Sequence, residues 1–408
     1  MKNLWRKPAA CAGILLGALT FACAPQEESP LLQSDVLEVI KYQNGDIIPG
    51  KYIVRLNPSN LNFRKGTDYA ANQAAMRKVG NELLAKYRIA EANLGYVYGD
   101  AIEGFSVALT DEQYMDLSKD PSVKFIEPDR VVMLAPPPGK GPKDGGDGGG
   151  NEPAQATPYG ITRVGGGATY TGTGVAYVID SGIEAGHPDL NVDVSKGFNA
   201  FDKGKDSNLS ADGNGHGTHV AGTIAAIDNS FGVIGVAAGA TVVPIKVLDS
   251  RGSGSYSGVI AGVDFVAANG KNGEVADMSL GGPPSTALDI AVINMASKGI
   301  KTSLAAGNSA QNASNSSPAR ANGPNIYTVS AIDSDDVFAS FSNFGNPPVD
   351  FAAPGVAVLS TVPGGYSSFS GTSMAAPHVA GILLTGNPRN GGSAINDPDG
   401  NADPIAVK

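Results

Sequence analysis

The chain has 408 residues, of which 54 are glycine and 17% are charged, and its formal net charge is −10. This length allows more than one domain and a large core, and the excess of negative charge argues against a nucleic-acid-binding surface. Both cysteines, Cys11 and Cys23, lie near the N-terminus, so the rest of the chain has no disulfide and must gain stability from packing or metal ions.

The first 23 residues have the pattern of an export signal. Three basic residues precede an apolar run, 9–22, that is too short to span a bilayer. The run ends at Cys23, as in a bacterial lipoprotein signal, whose cysteine becomes the lipidated N-terminus. Residues 20 and 21 depart from the usual pattern, so lipidation and ordinary signal cleavage both stay open. We expect an exported protein, either secreted or attached to the cell envelope through Cys23, with residues 24–45 as a polar tether.

The next segment, residues 46–135, predicts a small α+β domain. Strands are predicted at 51–56, 103–109 and 123–129, the last extended by 131–134, and helices at 72–87 and from Thr110. We interpret the order as β-α-β-β-α-β, which is ferredoxin-like. Residues 136–153 are rich in Pro and Gly and lack core-forming side chains, so they predict a linker.

Strand and helix patterns alternate through residues 154–386. Strands are predicted at 174–179, 241–248, 275–280, 300–305 and 326–332, and helices at 216–227, 255–269, 285–298 and 372–385. This alternation predicts an α/β domain with a parallel sheet and helices on both faces. Residues 387–408 are polar and rich in Gly, Asn and Asp, and we expect this C-terminal tail to be a loop or disordered.

Two stretches carry an acid and a serine suited to nucleophilic catalysis, and a third, described next, carries a histidine. Asp180 ends an apolar run at the carboxyl end of a predicted parallel strand, where α/β folds place their sites. Ser373 follows Thr372, a good N-cap, so it lies at the positive end of a helix beside unpaired N–H groups that can stabilise an oxyanion. A serine needs a base and an orienting acid to become a strong nucleophile.

Four histidines are candidates for that base: His187, His216, His219 and His378. His216 is best placed, because it lies in the first turn of a helix of small residues that glycine turns open. A zinc site at His216 and His219 is disfavoured, since neither a His-Glu-x-x-His pattern nor a cysteine ligand accompanies the pair.

The segments 180–183, 216–222 and 371–381 resemble the three catalytic blocks of the subtilisin family of serine proteases, in the family's order Asp, His, Ser. The resemblance, to the subtilisin and proteinase K type, runs from about Ala154 to Gly386. It implies a parallel-sheet subtilisin-like catalytic domain and a serine endopeptidase that acts on proteins and peptides.

The resemblance also implies a role for individual residues. Ser373 is the expected nucleophile, His216 the base and Asp180 the orienting acid, and Asn308 matches the family's oxyanion-hole asparagine. The expected substrate-binding edges comprise Ser253, Gly254, Ser279, Leu280 and Gly281. No charged residue marks the pocket, so we expect a broad preference for apolar or aromatic side chains.

Residues 46–135 resemble the inhibitor propeptide of subtilisins, which assists folding and blocks the cleft until it is cut. Its end, 131–135, is expected in the substrate groove as a product-like strand. We expect a self-inhibited, autoprocessed precursor that is cut near Leu134 or Ala135. The exact bond stays open because Pro136 would be an awkward leaving partner.

Two structural calcium sites follow from the resemblance, and all their donors are oxygen atoms, as a hard cation requires. The first comprises Gln155, Asp189, Asn229 and the carbonyls of Ile227, Phe231 and Val233. The second, of proteinase K type, comprises Asp350 and the carbonyls of Pro324 and Ile326.

Two further functions stay open at this point. A non-catalytic binding protein could keep the scaffold, and an esterase could use the same acyl-enzyme chemistry. The presence of Asp180, His216, Asn308 and Ser373 together favours the endopeptidase. We expect a monomer.

Overall fold

The computed structural model describes residues 42–61, 65–66, 68–134 and 154–408. The predicted export signal, the lipidation of Cys23, nearly all of the tether and the linker 136–153 lie outside the described residues. Within the described ranges, no helix is long and apolar enough to cross a membrane.

The N-terminal domain has the predicted ferredoxin-like order. Its elements are β1 (Ile47–Leu56), α1 (Tyr69–Lys86), β2 (Leu94–Tyr98), β3 (Gly104–Ala108), α2 (Asp111–Leu117) and β4 (Val123–Met133). They form an antiparallel sheet in the order β4-β1-β3-β2. Thr110 is the N-cap of α2, as its position suggested, and forms a capping box with Gln113. The pattern had not located β2.

The second domain contains the remaining elements. Its helices are α3 (Tyr159–Arg163), α4 (His216–Ala225), α5 (Tyr256–Asn269), α6 (Thr286–Ser297) and α7 (Thr372–Thr385). Its strands are β5 (Ala168–Thr169), β6 (Ala176–Asp180), β7 (Asn191–Val192), β8 (Phe198–Asn199), β9 (Ala237–Ala238), β10 (Thr241–Lys246), β11 (Ser253–Ser255), β12 (Val275–Met278), β13 (Lys301–Ala305), β14 (Ile326–Ile332), β15 (Val349–Pro354), β16 (Val358–Val362), β17 (Gly365–Phe369), β18 (Arg389–Ser393) and β19 (Pro404–Val407).

The main sheet has the order β18-β19-β15-β14-β13-β12-β6-β10-β7, and β8 also pairs with β10. Its strands run parallel except β18, which pairs antiparallel with β19. Alternate side chains of β6 enter opposite cores: Tyr177 and Ile179 pack with α5 and α6, whereas Ala176 and Val178 pack with α4 and α7. Helices therefore cover both faces, and the predicted α/β class is confirmed.

The C-terminal tail corrects the sequence prediction. Residues 387–408 were expected to be loop or disordered, yet β18 and β19 add to one edge of the main sheet. Ile405 pairs with Ala352 of β15 and is fully buried against Ile332 and Phe338. The physical reason is the short apolar run at 405–407, which can cover the sheet edge although the tail around it is polar.

Candidate active site

Asp180 and His216 form the first half of the site. Asp180 ends β6 and is completely buried, and His216 begins α4. Gly215, before His216, has φ +97°, a conformation that glycine adopts without strain and that turns the chain into the helix. As a result, Nδ1 of His216 lies 2.9 Å from both carboxylate oxygens of Asp180.

The electrostatics favour a charged imidazole. Burial works to lower the pKa of His216, but the Asp180 carboxylate outweighs it, with Asp212 adding to the effect, so the pKa is raised above its ordinary value. The other histidine of α4, His219, is fully buried. Burial lowers its pKa to about 3, and its Nε2 contacts the carbonyl oxygens of Val358 and Ser367. His216 is therefore the histidine equipped to accept a proton.

Ser373 is the second residue of α7. In that position its backbone N–H has no intrahelical acceptor and is free to bind an anion. Its hydroxyl donates to the carbonyl oxygen of Ser279 at 2.9 Å, and among the described residues no hydrogen bond joins it to His216. Catalytic hydrogen bonds are often formed only once substrate is bound, so this geometry is compatible with a nucleophile at rest.

Asn308 follows β13 and is held by the start of α7. Its Oδ1 accepts hydrogen bonds from the N–H of Thr372 at 2.8 Å and from the Thr372 hydroxyl at 3.0 Å. Because the side-chain oxygen is engaged, the amide nitrogen is left to donate into the adjoining cavity. That cavity has a volume of about 510 Å³, and both Asn308 and Ser373 line it.

The cavity is also lined by Ser279, Leu280 and Gly281, as expected for a substrate-binding edge. None of the described residues around it is charged. The site residues thus gather at the carboxyl end of the central strands β6, β12 and β13, the end at which α/β folds bind ligands.

The end of β4 lies in the predicted groove. Residues 131–133 pair antiparallel with β11, so Met133 faces Ser253 and Val132 faces Gly254. Leu134, the last described residue before the linker, donates from its N–H to the carbonyl oxygen of Gly252 at 2.9 Å and lines the cavity of Ser373. The N-terminal domain therefore covers one edge of the site with its own strand.

At the opposite edge of the groove, a side chain joins β4 to residues 279–281. The side chain of Asn44 lies between the two segments: its Oδ1 accepts from the N–H of Met133 at 3.0 Å, and its Nδ2 donates to the carbonyl oxygen of Gly281 at 3.0 Å. No sequence pattern indicates a role for Asn44, since it is a lone asparagine in a polar stretch.

Two carboxylates of β4 reach the N-termini of helices in the second domain. Asp129 accepts from the N–H and the hydroxyl of Ser257, in the first turn of α5, at 3.0 Å and 2.5 Å. Glu127 accepts from the hydroxyl of Ser285 at 2.5 Å and from the N–H of Thr286 at 3.1 Å, at the start of α6. Acidic side chains are stabilised at this end of a helix, so the contacts attach the N-terminal domain to the second domain.

A third carboxylate belongs to the second domain and contacts the N-terminal domain. Asp264 of α5 is buried and accepts from the backbone N–H groups of Gly99, Asp100 and Ala101. Burial raises the pKa of Asp264 to about 6 although these hydrogen bonds oppose the shift. No sequence motif marks these three acids. The i, i+2 spacing of 127 and 129 on one strand is the one signal that places two of them on a shared face.

The predicted residues of the first calcium site lie together. The carboxylate of Asp189 is buried, and its oxygens lie 2.8 Å from Nδ2 of Asn229 and 3.0 Å from the N–H of Val233. The Gln155 amide lies 2.9 Å from the carbonyl oxygen of Ile227. A Cβ added at Gly232 would lie 2.5 Å from Asp189 Oδ2, so a side chain there would intrude on this cluster.

The second predicted calcium site has fewer supporting contacts. Asp350, on β15, accepts from the N–H of Thr328, two residues beyond Ile326 on β14, at 2.9 Å. Burial raises the pKa of Asp350. Within the described ranges, no group of three or more His, Cys, Asp or Glu side chains is placed to hold a metal, so either site depends largely on carbonyl and amide oxygens.

Comparisons with known proteins agree with this geometry. The model of the Subtilase family matches residues 171–386, and the model of Peptidase inhibitor I9 matches residues 51–135. Subtilisin NAT of Bacillus subtilis subsp. natto is 41% identical over 309 residues, covering 72% of this chain and 74% of that protein. Subtilisin-like serine protease Pen ch 13 of Penicillium rubens is 38% identical over 365 residues, covering 84% of this chain and 83% of that protein.

A solved structure is similar as well. The crystal structure of a cold adapted subtilisin-like serine proteinase superposes with a TM-score of 0.54 at 40% sequence identity. The match covers 61% of this chain and 97% of that one.

Proposed function

The chain belongs to the subtilase family, and from that premise we propose a role for each site residue and a course of maturation. It is a subtilisin-like serine endopeptidase that carries an I9 inhibitor propeptide, consistent with a self-inhibited precursor. The observation that carries the proposal is the placement of the propeptide's last described residue, Leu134, in the cavity of Ser373 and Asn308.

Ser373 is the nucleophile. Its Oγ leaves the Ser279 carbonyl, bonds to the carbonyl carbon of the scissile peptide and gives its proton to Nε2 of His216. The imidazolium passes this proton to the departing amine as the carbon–nitrogen bond breaks. Water then attacks the acyl-enzyme by the same route and restores the serine. Asp180, bonded to Nδ1 at 2.9 Å, fixes the tautomer and stabilises the cation.

The oxyanion is held by two donors, the amide of Asn308 and the backbone N–H of Ser373. Thr372 orients the amide through the two hydrogen bonds to its Oδ1. Donors that are fixed before the reaction need no reorganisation when charge develops on the oxygen. The uncharged cavity beside them supports broad specificity for apolar or aromatic side chains.

The propeptide inhibits by occupying the groove in a substrate-like manner. Antiparallel pairing of residues 131–133 with β11 is the mode in which an extended peptide adds to a sheet edge. We place the processing cut between Leu134 and Ala154, the nearest described residues on either side of the linker 136–153. We propose a propeptide domain at 46–135 and a catalytic domain at 154–386, which lie on either side of this cut.

A fluorophosphonate probe tests the proposed roles. The matured protein should hydrolyse a chromogenic peptide and lose that activity as the probe bonds to Ser373, whereas Ser373→Ala should neither hydrolyse the peptide nor bind the probe. Hydrolysis of esters but not peptides would favour the esterase, and probe binding by the folded Ser373→Ala variant would place the nucleophile elsewhere.

We also propose a structural calcium ion at the first site. Asp189 supplies a carboxylate, and Gln155, Asn229 and three backbone carbonyls supply neutral oxygens, a donor set that suits Ca²⁺. Bound calcium would stabilise the folded loop 227–233 and take no part in catalysis. We propose a second structural calcium ion at Asp350, with the carbonyls of Pro324 and Ile326 as further oxygen donors.

Chelation tests the calcium proposal. Adding a chelator should shorten the half-life of the parent at elevated temperature, and Asp189→Asn should remove most of this calcium dependence. Asp202→Asn, an exposed carboxylate in the same domain, is the control and should keep it. Equal calcium dependence in all three proteins would exclude the site at Asp189.

Export is proposed from the signal pattern of residues 1–23 alone. Cell fractionation distinguishes its two forms. If Cys23 is lipidated, Cys23→Ser should move the protein from the membrane fraction to the medium or periplasm, and if it is not, the variant should fractionate as the parent does.

A further inference from the structure

Asp277 is a buried acid near the proposed site to which the catalytic steps assign no role. It lies on β12 between β6 and β13, where its side chain is fully buried. Its Oδ2 lies 2.7 Å from Oγ of Ser279, and the same Oγ lies 3.0 Å from the backbone carbonyl oxygen of Ser373. Among the described residues, Oδ1 of Asp277 has no hydrogen-bond partner.

The number of hydrogens decides how these contacts can be made. The Ser279 hydroxyl has one hydrogen to donate. If Asp277 were ionised, that hydrogen could satisfy the carboxylate or the Ser373 carbonyl, but not both. If Asp277 is protonated, its O–H donates to Ser279, and the Ser279 O–H donates to Ser373, so both short contacts become hydrogen bonds.

We propose that Asp277 is a positioning residue held in its protonated form, which through the Ser279 hydroxyl fixes the backbone carbonyl of Ser373 and with it the first turn of α7. This inference rests on the proposed function, because the turn that it fixes carries the nucleophile and one oxyanion donor.

The surroundings of Asp277 favour the neutral acid. Burial raises its pKa to about 8, and the nearby Asp180 carboxylate acts in the same direction, although the Ser279 hydrogen bond and His216 oppose the shift. Of the other titratable side chains on the elements packed against β12, Lys301 contacts the carbonyls of Leu383 and Gly386, and Tyr177 contacts Glu274. His378 contacts the carbonyl of Met374 through Nδ1, and burial lowers its pKa to about 4, so it is neutral. An ionised Asp277 would therefore have one uncompensated oxygen in a buried setting, which is costly.

Ionisation of Asp277 has two consequences that act together. The carboxylate draws the Ser279 hydrogen to itself, so the carbonyl of Ser373 loses its hydrogen bond. A negative charge also appears one hydrogen bond away from Ser279, a residue that lines the cavity of Ser373 and Asn308. Both effects lower kcat/KM at alkaline pH, whereas at neutral pH Asp277 adds no charge to the pair of Asp180 and His216.

The test is the pH dependence of kcat/KM in the parent and in Asp277→Asn, each made as the full chain and measured after it has matured. Asparagine can donate to Ser279 at every pH and so imitates the protonated acid. We expect the parent to show an alkaline decline with a pKa of about 8, by about threefold to tenfold, as for the loss of one buried hydrogen bond. Asp277→Asn should show no such decline and an unchanged acid limb.

Two results would overturn the inference. An alkaline decline that persists in Asp277→Asn would come from another group. An acid limb that moves to lower pH in the variant would show that Asp277 is ionised when His216 titrates. A parent that hydrolyses no peptide at any pH would contradict the proposed function instead, and so the two failures are distinguishable.

Infrared spectroscopy tests the inference even if Asp277→Asn does not fold. In the full-length Ser373→Ala chain, a protonated-carboxyl band should persist at neutral pH and disappear as pH rises through about 8. Loss of every such band below about pH 6, the range in which other buried acids such as Asp264 titrate, would overturn it.

Discussion

The contacts of Glu127 and Asp129 predict how tightly the propeptide inhibits. Changing both residues, Glu127→Gln and Asp129→Asn, keeps their size and removes two negative charges from the N-termini of α5 and α6. The loops and strands around them are left as they are, so the variant should still fold and process.

The magnitude follows from the hydrogen bonds lost. Each carboxylate accepts from a backbone N–H and a serine hydroxyl at a helix start. Burial raises the pKa of both carboxylates and so offsets part of the gain from their charge-assisted hydrogen bonds. The net contribution of each charge with its hydrogen bonds is therefore about 1–2 kcal/mol. The pair should therefore contribute about 2–4 kcal/mol to binding, which corresponds to a rise of about 30-fold to about 700-fold in the dissociation constant of the cut propeptide.

The assay is the appearance of peptide hydrolysis when processed but still inhibited protein is diluted. The double variant should become active at much higher protein concentration, and with a shorter lag, than the parent. Glu112→Gln, a charge change at an exposed position of α2, should behave as the parent does. Inhibition within twofold of the parent in the double variant would refute the reasoning that these two acids attach the propeptide.

Three other predictions concern the site and the tail. Asn308→Leu should lower kcat by about 10²–10³-fold with little change in KM, the range that holds for the oxyanion-hole amide of subtilisin. Thr372→Val removes only one of the two hydrogen bonds to Asn308 and should lower kcat by a smaller factor. An unchanged kcat in Asn308→Leu would contradict the role of the amide. Because the pKa of His216 is raised and the base must be neutral, kcat/KM should rise with pH through a value above the ordinary 6.5; an acid limb below 6.5 would contradict the effect of Asp180. Ile405→Ala should lower the free energy of unfolding, measured with denaturant in a Ser373→Ala background, by about 2–4 kcal/mol. Ile395 is half-exposed, so Ile395→Ala should change the same free energy by less than about 0.5 kcal/mol. Equal effects of the two substitutions would contradict the packing of the tail.

The central strands were predictable because they are apolar and are buried on both faces. The run at 174–179 predicted β6 within two residues at its start and one at its end, and 326–332 coincides with β14. The helix predicted at 372–385 likewise coincides with α7. In these segments the local preference for strand or helix agrees with the apolar environment that the fold provides, so the pattern alone predicts the element.

The elements that the sequence did not predict depend on contacts distant along the chain. The residues of β19 are a short apolar run in a polar tail, and only the exposed edge of β15 gives them a place to pair. The hairpin of β16 and β17 was also missed, since its side chains alternate too weakly to indicate a strand.

The residues of the site likewise divide into those that a local sequence pattern marks and those that only distant contacts bring into place. Asp180, His216, Asn308 and Ser373 stand in recognisable blocks, whereas Asn44 and Asp277 do not. Asn44 matters because a turn places it between Met133 and Gly281, and Asp277 because its carboxyl group meets the hydroxyl of Ser279. Neither meeting is encoded in local pattern, so only the three-dimensional structure reveals it.

The intact mass of the purified chain, from Pro25 to Lys408 with calcium, followed over time beside Ser373→Ala, decides whether this protein processes itself. The parent should split between Leu134 and Ala154 while Ser373→Ala stays whole. A parent that stays whole under these conditions, or a folded Ser373→Ala that splits at the same rate in preparations free of other proteases, would contradict a self-processing serine protease.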